Sequence, residues 1–185
     1  MAEVKVLALV GSLRAASLNR KIAELAVEVA PDGVAVTVFE GLADLPFYNE
    51  EIDDVMNTDA PPLAAVDALR AAAGDASAAL VVTPEYNGSY PAVVKNAIDW
   101  LSRPFGDSAL KGKPLAVIGG SFGQYGGVWA HDDTRKSFGI AGARVVESIK
   151  LSVPFRTLEG KAPAEHAELV ENVRDVVGKL AAEVS

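Results

Sequence analysis

Short apolar runs alternate along the chain with stretches in which apolar residues recur every three or four positions. Val4–Val10, Val34–Phe39, Ala78–Thr83, Leu115–Gly120 and Val145–Ile149 are the runs, mostly apolar on both faces, and they predict buried strands. Between them Leu18, Ile22, Leu25, Ala26 and Val29 keep helical spacing, as do Val94, Ala97, Ile98 and Leu101, with Pro91 suited to a first helical turn. Leu169, Val173, Val176, Leu180 and Val184 repeat the pattern near the end of the chain. Strands alternating with helices predict an α/β fold, a parallel sheet wound on both faces, with ligands at the carboxyl ends of the strands. No linker, repeat or low-complexity tract interrupts it, so residues 1–185 read as one domain; the longest segment without clear periodicity is Gly41–Pro62.

Charge narrows the partners. Against 17 Lys and Arg stand 25 Asp and Glu, a net charge of −8, which disfavours nucleic acid and anionic membrane surfaces. Between Ile22 and Leu69 there is no basic residue, while Glu24, Glu28, Asp32, Glu40, Asp44, Glu50, Glu51, Asp53, Asp54, Asp59 and Asp67 are acidic. An anionic ligand is expected to avoid this stretch, and most of its acids to form a solvated face. Cysteine is absent, which excludes disulfides, thiolate metal sites and a cysteine nucleophile. The apolar run Val6–Val10 is too short for a secretory signal and nothing later is long enough to span a bilayer, so a cytoplasmic location is expected.

The chemistry gathers where strands end. The first strand runs into Gly11-Ser12-Leu13-Arg14-Ala15-Ala16-Ser17-Leu18-Asn19-Arg20 and a helix. Ser12, Ser17 and Asn19 are hydrogen-bonding groups for phosphate oxygens, Arg14 offers a charge-assisted fork, and the helix N-terminus favours an anion. Helix capping by Ser17 or Asn19 is the plainer alternative. The loop is neither a dinucleotide fingerprint nor a P-loop. The third strand leads into Pro84-Glu85-Tyr86-Asn87-Gly88-Ser89-Tyr90-Pro91, where two prolines stiffen the chain, Gly88 permits positive φ and two tyrosines offer flat faces for a planar ring.

After the fourth strand comes Gly119-Gly120-Ser121-Phe122-Gly123-Gln124-Tyr125-Gly126-Gly127. Its Gly119-x-Ser121-x-Gly123 matches the nucleophile elbow, and Asp132, Asp133 or Glu147 followed by His166 supplies the hydrolase order. A serine hydrolase is therefore an alternative, although His166 falls in what reads as the exposed first turn of the last helix. His131-Asp132-Asp133 reads as acid near a helix N-terminus in preference to a metal site.

Gly-Ser-Leu-Arg-x-x-Ser-x-Asn at 11–19, Pro-Glu-Tyr-Asn at 84–87 and Lys-Asn-Ala-Ile-Asp-Trp-Leu-Ser-Arg at 95–103 together resemble the NADPH-dependent FMN reductase family, the flavodoxin-like quinone, azo and chromate reductases. Leu45-Pro46-Phe47-Tyr48-Asn49 is similar to that family's loop after strand two, and the likeness runs from about Val4 to Gly127. The resemblance implies a five-stranded sheet of order 2-1-3-4-5 and noncovalent FMN, with NADPH or NADH as donor and a quinone or similar small molecule as acceptor. It places the phosphate on Ser12, Arg14, Ser17, Leu18 and Asn19, and the ring against Pro84, Glu85, Tyr86, Asn87, Gly88, Ser121, Phe122 and Gly123. No side chain is implied as an obligatory acid or base; Glu85 is expected to turn its carboxylate away. A homodimer or homotetramer is also implied, and Trp100, Tyr90 and Val93, off the inward stripe of their helix, suggest a seam there. Trp129 stands where the chromate-reducing branch has arginine. A flavodoxin-type electron carrier is the second alternative; Arg14 speaks against it.

Overall fold

The computed structural model describes residues 3–53 and 63–184. Five strands, β1 (Val4–Val10), β2 (Val34–Phe39), β3 (Ala78–Val82), β4 (Pro114–Ser121) and β5 (Arg144–Pro154), form one parallel sheet of order β2-β1-β3-β4-β5. Five helices accompany them: α1 (Leu18–Glu28), α2 (Ala64–Asp75), α3 (Ala92–Leu101), α4 (Val128–Ile140) and α5 (Ala167–Ala182). The flavodoxin-like order and the two-sided winding are as expected from sequence. Among the described residues no helix is long and apolar enough to cross a membrane.

The period-2 alternation of β1 divides the core. Val6, Ala8 and Val10 pack under α1 and α5, while Leu7 and Leu9 face α2 and α3. The central strands β1, β3 and β4, buried on both faces, leave the loops at their carboxyl ends as their open surface, while the edge strands β2 and β5 are only partly covered.

Several expectations change. Strand β5 begins at Arg144 and continues to Pro154, five residues beyond Ile149, carried past an irregularity in its pairing between Leu115 and Val117 of β4. Pro91 is the residue before α3, held extended, and not within its first turn. His166 is the half-buried N-cap of α5, its Nδ1 accepting from the Leu169 N–H. Asp132 and Asp133 lie in the second turn of α4, where they meet Arg135 and the Ser89 hydroxyl instead of the helix dipole. Of the acidic stretch, Glu24 and Glu40 pair with Arg20, and Asp53 is held by Arg70; Asp54 and Asp59 lie outside the described residues, as does the end of Gly41–Pro62.

The second apolar side of α3 is covered by the chain itself. Trp100 is fully buried: its indole N–H donates to the Pro46 carbonyl at 2.8 Å, Tyr48 meets its ring edge-on, and the Arg70 guanidinium lies over it. Asn96 accepts from the Tyr48 N–H and donates to the Leu45 and Pro46 carbonyls. Tyr90 reaches Ser137 of α4, and Val93 packs on the core. The subunit seam expected at Trp100 is therefore an intrachain joint between α3 and residues 45–48.

Candidate functional site

At the carboxyl ends of β1, β3 and β4 a cleft of about 250 Å³ opens. Ser12, Arg14, Ala16, Ser17, Leu18 and Asn19 line one side of it, and Pro84, Glu85, Tyr86, Gly120, Ser121, Phe122 and Phe155 the rest. Three loops distant in sequence thus converge because the parallel sheet brings its strand ends together.

The first side is polar. Ser17 is buried and caps α1, its hydroxyl accepting from the Arg20 N–H at 3.4 Å, so the capping alternative holds for it. Ser12 is also buried, yet its hydroxyl has no partner among the described residues. The Arg14 guanidinium is exposed and has neither an ion pair nor a hydrogen bond among the described residues. Asn19 differs from expectation. Its side chain accepts from the Gly120 N–H at 2.8 Å and donates to the Gly120 carbonyl at 3.0 Å, a two-point tie between α1 and β4. That tie leaves one amide hydrogen and the main-chain N–H for a ligand.

The facing side is flat and apolar. Tyr86 and Ser89 exchange main-chain hydrogen bonds around Asn87 (φ 53°) and Gly88 (φ 76°), a tight turn. This projects Asn87 and Gly88 past the cleft; like Gly123 they do not line it. Glu85 turns its carboxylate to the Ala130 N–H at 3.3 Å, serving the first turn of α4, whose Gly127 cap offers no side chain. Phe122 meets Phe155 edge-to-face with ring centroids 5.5 Å apart. Phe155 was not among the residues the sequence singled out. It follows β5, and only the unforeseen length of that strand brings it to the cleft.

The hydrolase constellation is not assembled. Ser121 Oγ accepts from the Gly123 N–H, His166 caps α5, and both ring nitrogens of His131 are bonded elsewhere, to Thr83 and Ser152. His131 is completely buried in α4, and burial pushes its pKa down to about 4, well away from a useful base at neutral pH. Among the described residues no acid–histidine cluster fit to hold a metal occurs.

Comparison with known proteins gives a consistent picture. Residues 4–157 match the model of the family described as NADPH-dependent FMN reductase, so the likeness extends past Gly127 and through β5. A quinone reductase of Pseudomonas putida is 46% identical over 132 residues, 71% of this chain and 68% of its own length. A 2-hydroxy-1,4-benzoquinone reductase of a Burkholderia species is 40% identical over the same extent, again 71% and 68%. Among solved structures, the flavoenzyme NAD(P)H:(acceptor) oxidoreductase FerB of Paracoccus denitrificans superposes with a TM-score of 0.84 at 30% identity, covering 98% of this chain and 97% of that one.

Proposed function

Since the chain belongs to the NADPH-dependent FMN reductase family, we propose that its cleft binds FMN with the phosphate on the Ser12–Asn19 side and the ring on the Pro84–Tyr86 and Ser121–Phe122 side. The observation that carries this orientation is Arg14: a cation without a partner among the described residues, next to the unpartnered Ser12 hydroxyl and the N-terminus of α1. Such donors suit a phosphate dianion. The chemistry of the facing wall suits a planar ring, since Tyr86, Phe122 and Phe155 are flat and Pro84 is stiff.

The chain is an NAD(P)H-dependent oxidoreductase, and its acceptor is proposed to be a quinone. When bound, FMN supplies the relay that takes a hydride from the reductant and passes electrons on to the acceptor. The protein's work is positioning. Asn19 fixes Gly120 so that the start of the Ser121–Phe122 wall is rigid, and Glu85, engaged with α4, contributes its main chain and not its carboxylate. The phosphate side anchors the ligand while the apolar wall keeps water from the ring. No titrating side chain is required at the ring.

We further propose that residues 1–185 act as one cytoplasmic unit and pair as a homodimer. Tyr86, Phe122, Tyr125 and Trp129 are all about half exposed or more beside the cleft, and Tyr125 and Trp129 rest on each other. Aromatics in that number on one rim favour a covering surface. A Trp129→Glu variant is expected to run at half the parent's mass in light scattering; a parent that is already monomeric contradicts the dimer.

A visible spectrum tests the central reading. The purified protein is expected to be yellow and to bleach when NADPH is added. A yellow protein indifferent to NADPH and NADH indicates an electron carrier, and a colourless one labelled at Ser121 by a serine-directed phosphonate indicates a hydrolase.

A further inference from the structure

His131 takes no part in the proposed chemistry, yet it is completely buried with both ring nitrogens hydrogen-bonded. Its Nε2 lies 3.1 Å from the Thr83 carbonyl and its Nδ1 lies 2.8 Å from the Ser152 hydroxyl. A carbonyl only accepts, so Nε2 carries the proton and donates, and Nδ1 accepts from Ser152 Oγ–H. The ring therefore joins the end of β3 to β5, across β4.

Thr83 is where the walls meet. It is completely buried, its N–H donates to the Ile118 carbonyl, and it precedes Pro84 of the ring-facing wall. A side chain at Gly119 would come within 2.3 Å of the Thr83 carbonyl, and one at Gly11 within 2.6 Å of its hydroxyl. Glycine at both positions lets β1 and β4 close on Thr83 from either side. Ser152 lies in register with Gly119, three residues before Phe155, which lines the cleft. The next residue of α4 toward its N-terminus, Ala130, holds Glu85. One helical turn thus grips the two sides of the apolar wall.

We propose that His131 is a positioning residue that, as the neutral Nε2–H tautomer, fixes the Thr83–Pro84 main chain against β5 and so shapes the ring-binding wall. This deepens the FMN reading and rests on it for the ligand, but the tautomer does not. Removing the tie loosens the ring side of the cleft while leaving the Ser12–Ser17 side as it is.

The chain has only two histidines, so nitrogen-15 spectra of the imidazoles, assigned with His166→Gln, report the tautomer directly in flavin-free protein. The expected result is a neutral Nε2–H ring for His131 at pH 7; an Nδ1–H or protonated ring overturns the proposal and leaves the FMN reading standing. Fluorescence titrations of stripped protein with FMN and with riboflavin give the second test. His131→Leu is expected to weaken both at least tenfold with their affinity ratio unchanged, because the phosphate side is untouched. His131→Gln, whose amide supplies one donor and one acceptor, is expected to restore both to within about threefold. Should His131→Leu fail to fold, Ser152→Ala is expected to weaken both flavins several-fold with the ratio preserved. Parent-like affinity in His131→Leu, or in Ser152→Ala where it is the variant used, overturns the proposal, as does a change confined to FMN. If the parent binds no flavin, the FMN reading fails while the tautomer measurement still decides the tie.

Discussion

Arg14 and Trp100 occupy opposite extremes within one small molecule. Around Trp100 the groups that join α3 to residues 45–48 are matched: the indole N–H with Pro46, Asn96 with Leu45, Pro46 and Tyr48, and Arg70 with Asp53 and the Trp100 carbonyl, while Arg103, over the Tyr48 ring, keeps a buried Nε without a partner. Around Arg14 the groups stand unmatched, with a guanidinium and the Ser12 hydroxyl facing a cleft. The first region is closed by its own chain, and its polar residues serve the fold. The second is incomplete, and donors left open toward a cleft at the strand ends mark a binding surface. Chemical richness in a sequence does not separate the two; whether the hydrogen bonds are already taken does.

This contrast predicts that substitutions in the two regions act on different quantities. The largest effect is expected for Trp100→Ala, which removes a fully buried indole and its hydrogen bond and should cost about 3–5 kcal/mol of stability in denaturant unfolding. Flavin affinity of the folded fraction should change little. Next is a pH effect at His131. Its pKa, about 6.5 in the unfolded chain, falls to about 4 in the fold, chiefly through burial, with the Arg135 charge adding to this and the Thr83 carbonyl and Asp132 opposing it. The folded state therefore resists protonation. Stability is whole above about pH 6.5 and falls as pH drops towards 4, by about 3 kcal/mol in all. His131→Gln should flatten this part of the stability profile relative to the parent; an unchanged slope would show that the histidine titrates freely. The smallest stability effect is expected for Asn96→Ala, about 1–3 kcal/mol, from taking the side-chain partner from the Tyr48 N–H and the Leu45 carbonyl. If Asn96→Ala instead abolished flavin binding at full stability, the division between the regions would collapse.

The strands and three of the helices were legible because their apolar spacing is regular. Two helices were not, and their residues explain why. The buried positions of α4 are Ala130, His131, Thr134, Arg135 and Phe138, so its inner face is largely polar and carries no apolar stripe. Arg135 is buried there because its guanidinium reaches the Val117 carbonyl, beside the irregular pairing of β4 with β5. Helix α2 buries only Val66, Leu69 and Ala73 among alanines, too few large residues for a periodic signal. Ten of the thirteen residues expected at the site line the cleft, since loops at strand ends are fixed by topology. Asn87 and Gly88 fall outside it because their turn projects outward. Trp100 misled for a related reason: an apolar residue off a helix's inward stripe needs cover, but pattern alone does not say whether the cover is a partner or a loop of the same chain.

The central claim is that the unmatched groups at Ser12 and Arg14 are there for a phosphate, and comparing FMN with riboflavin on stripped protein tests it most directly. The two ligands share the ring and differ at the phosphate. FMN is predicted to bind far more tightly than riboflavin, and Arg14→Ala to weaken FMN by about 1.5–3 kcal/mol, the range for hydrogen bonds to a charged group, while riboflavin affinity and unfolding stability stay as in the parent. Equal affinities for the two flavins in the parent protein would contradict the account.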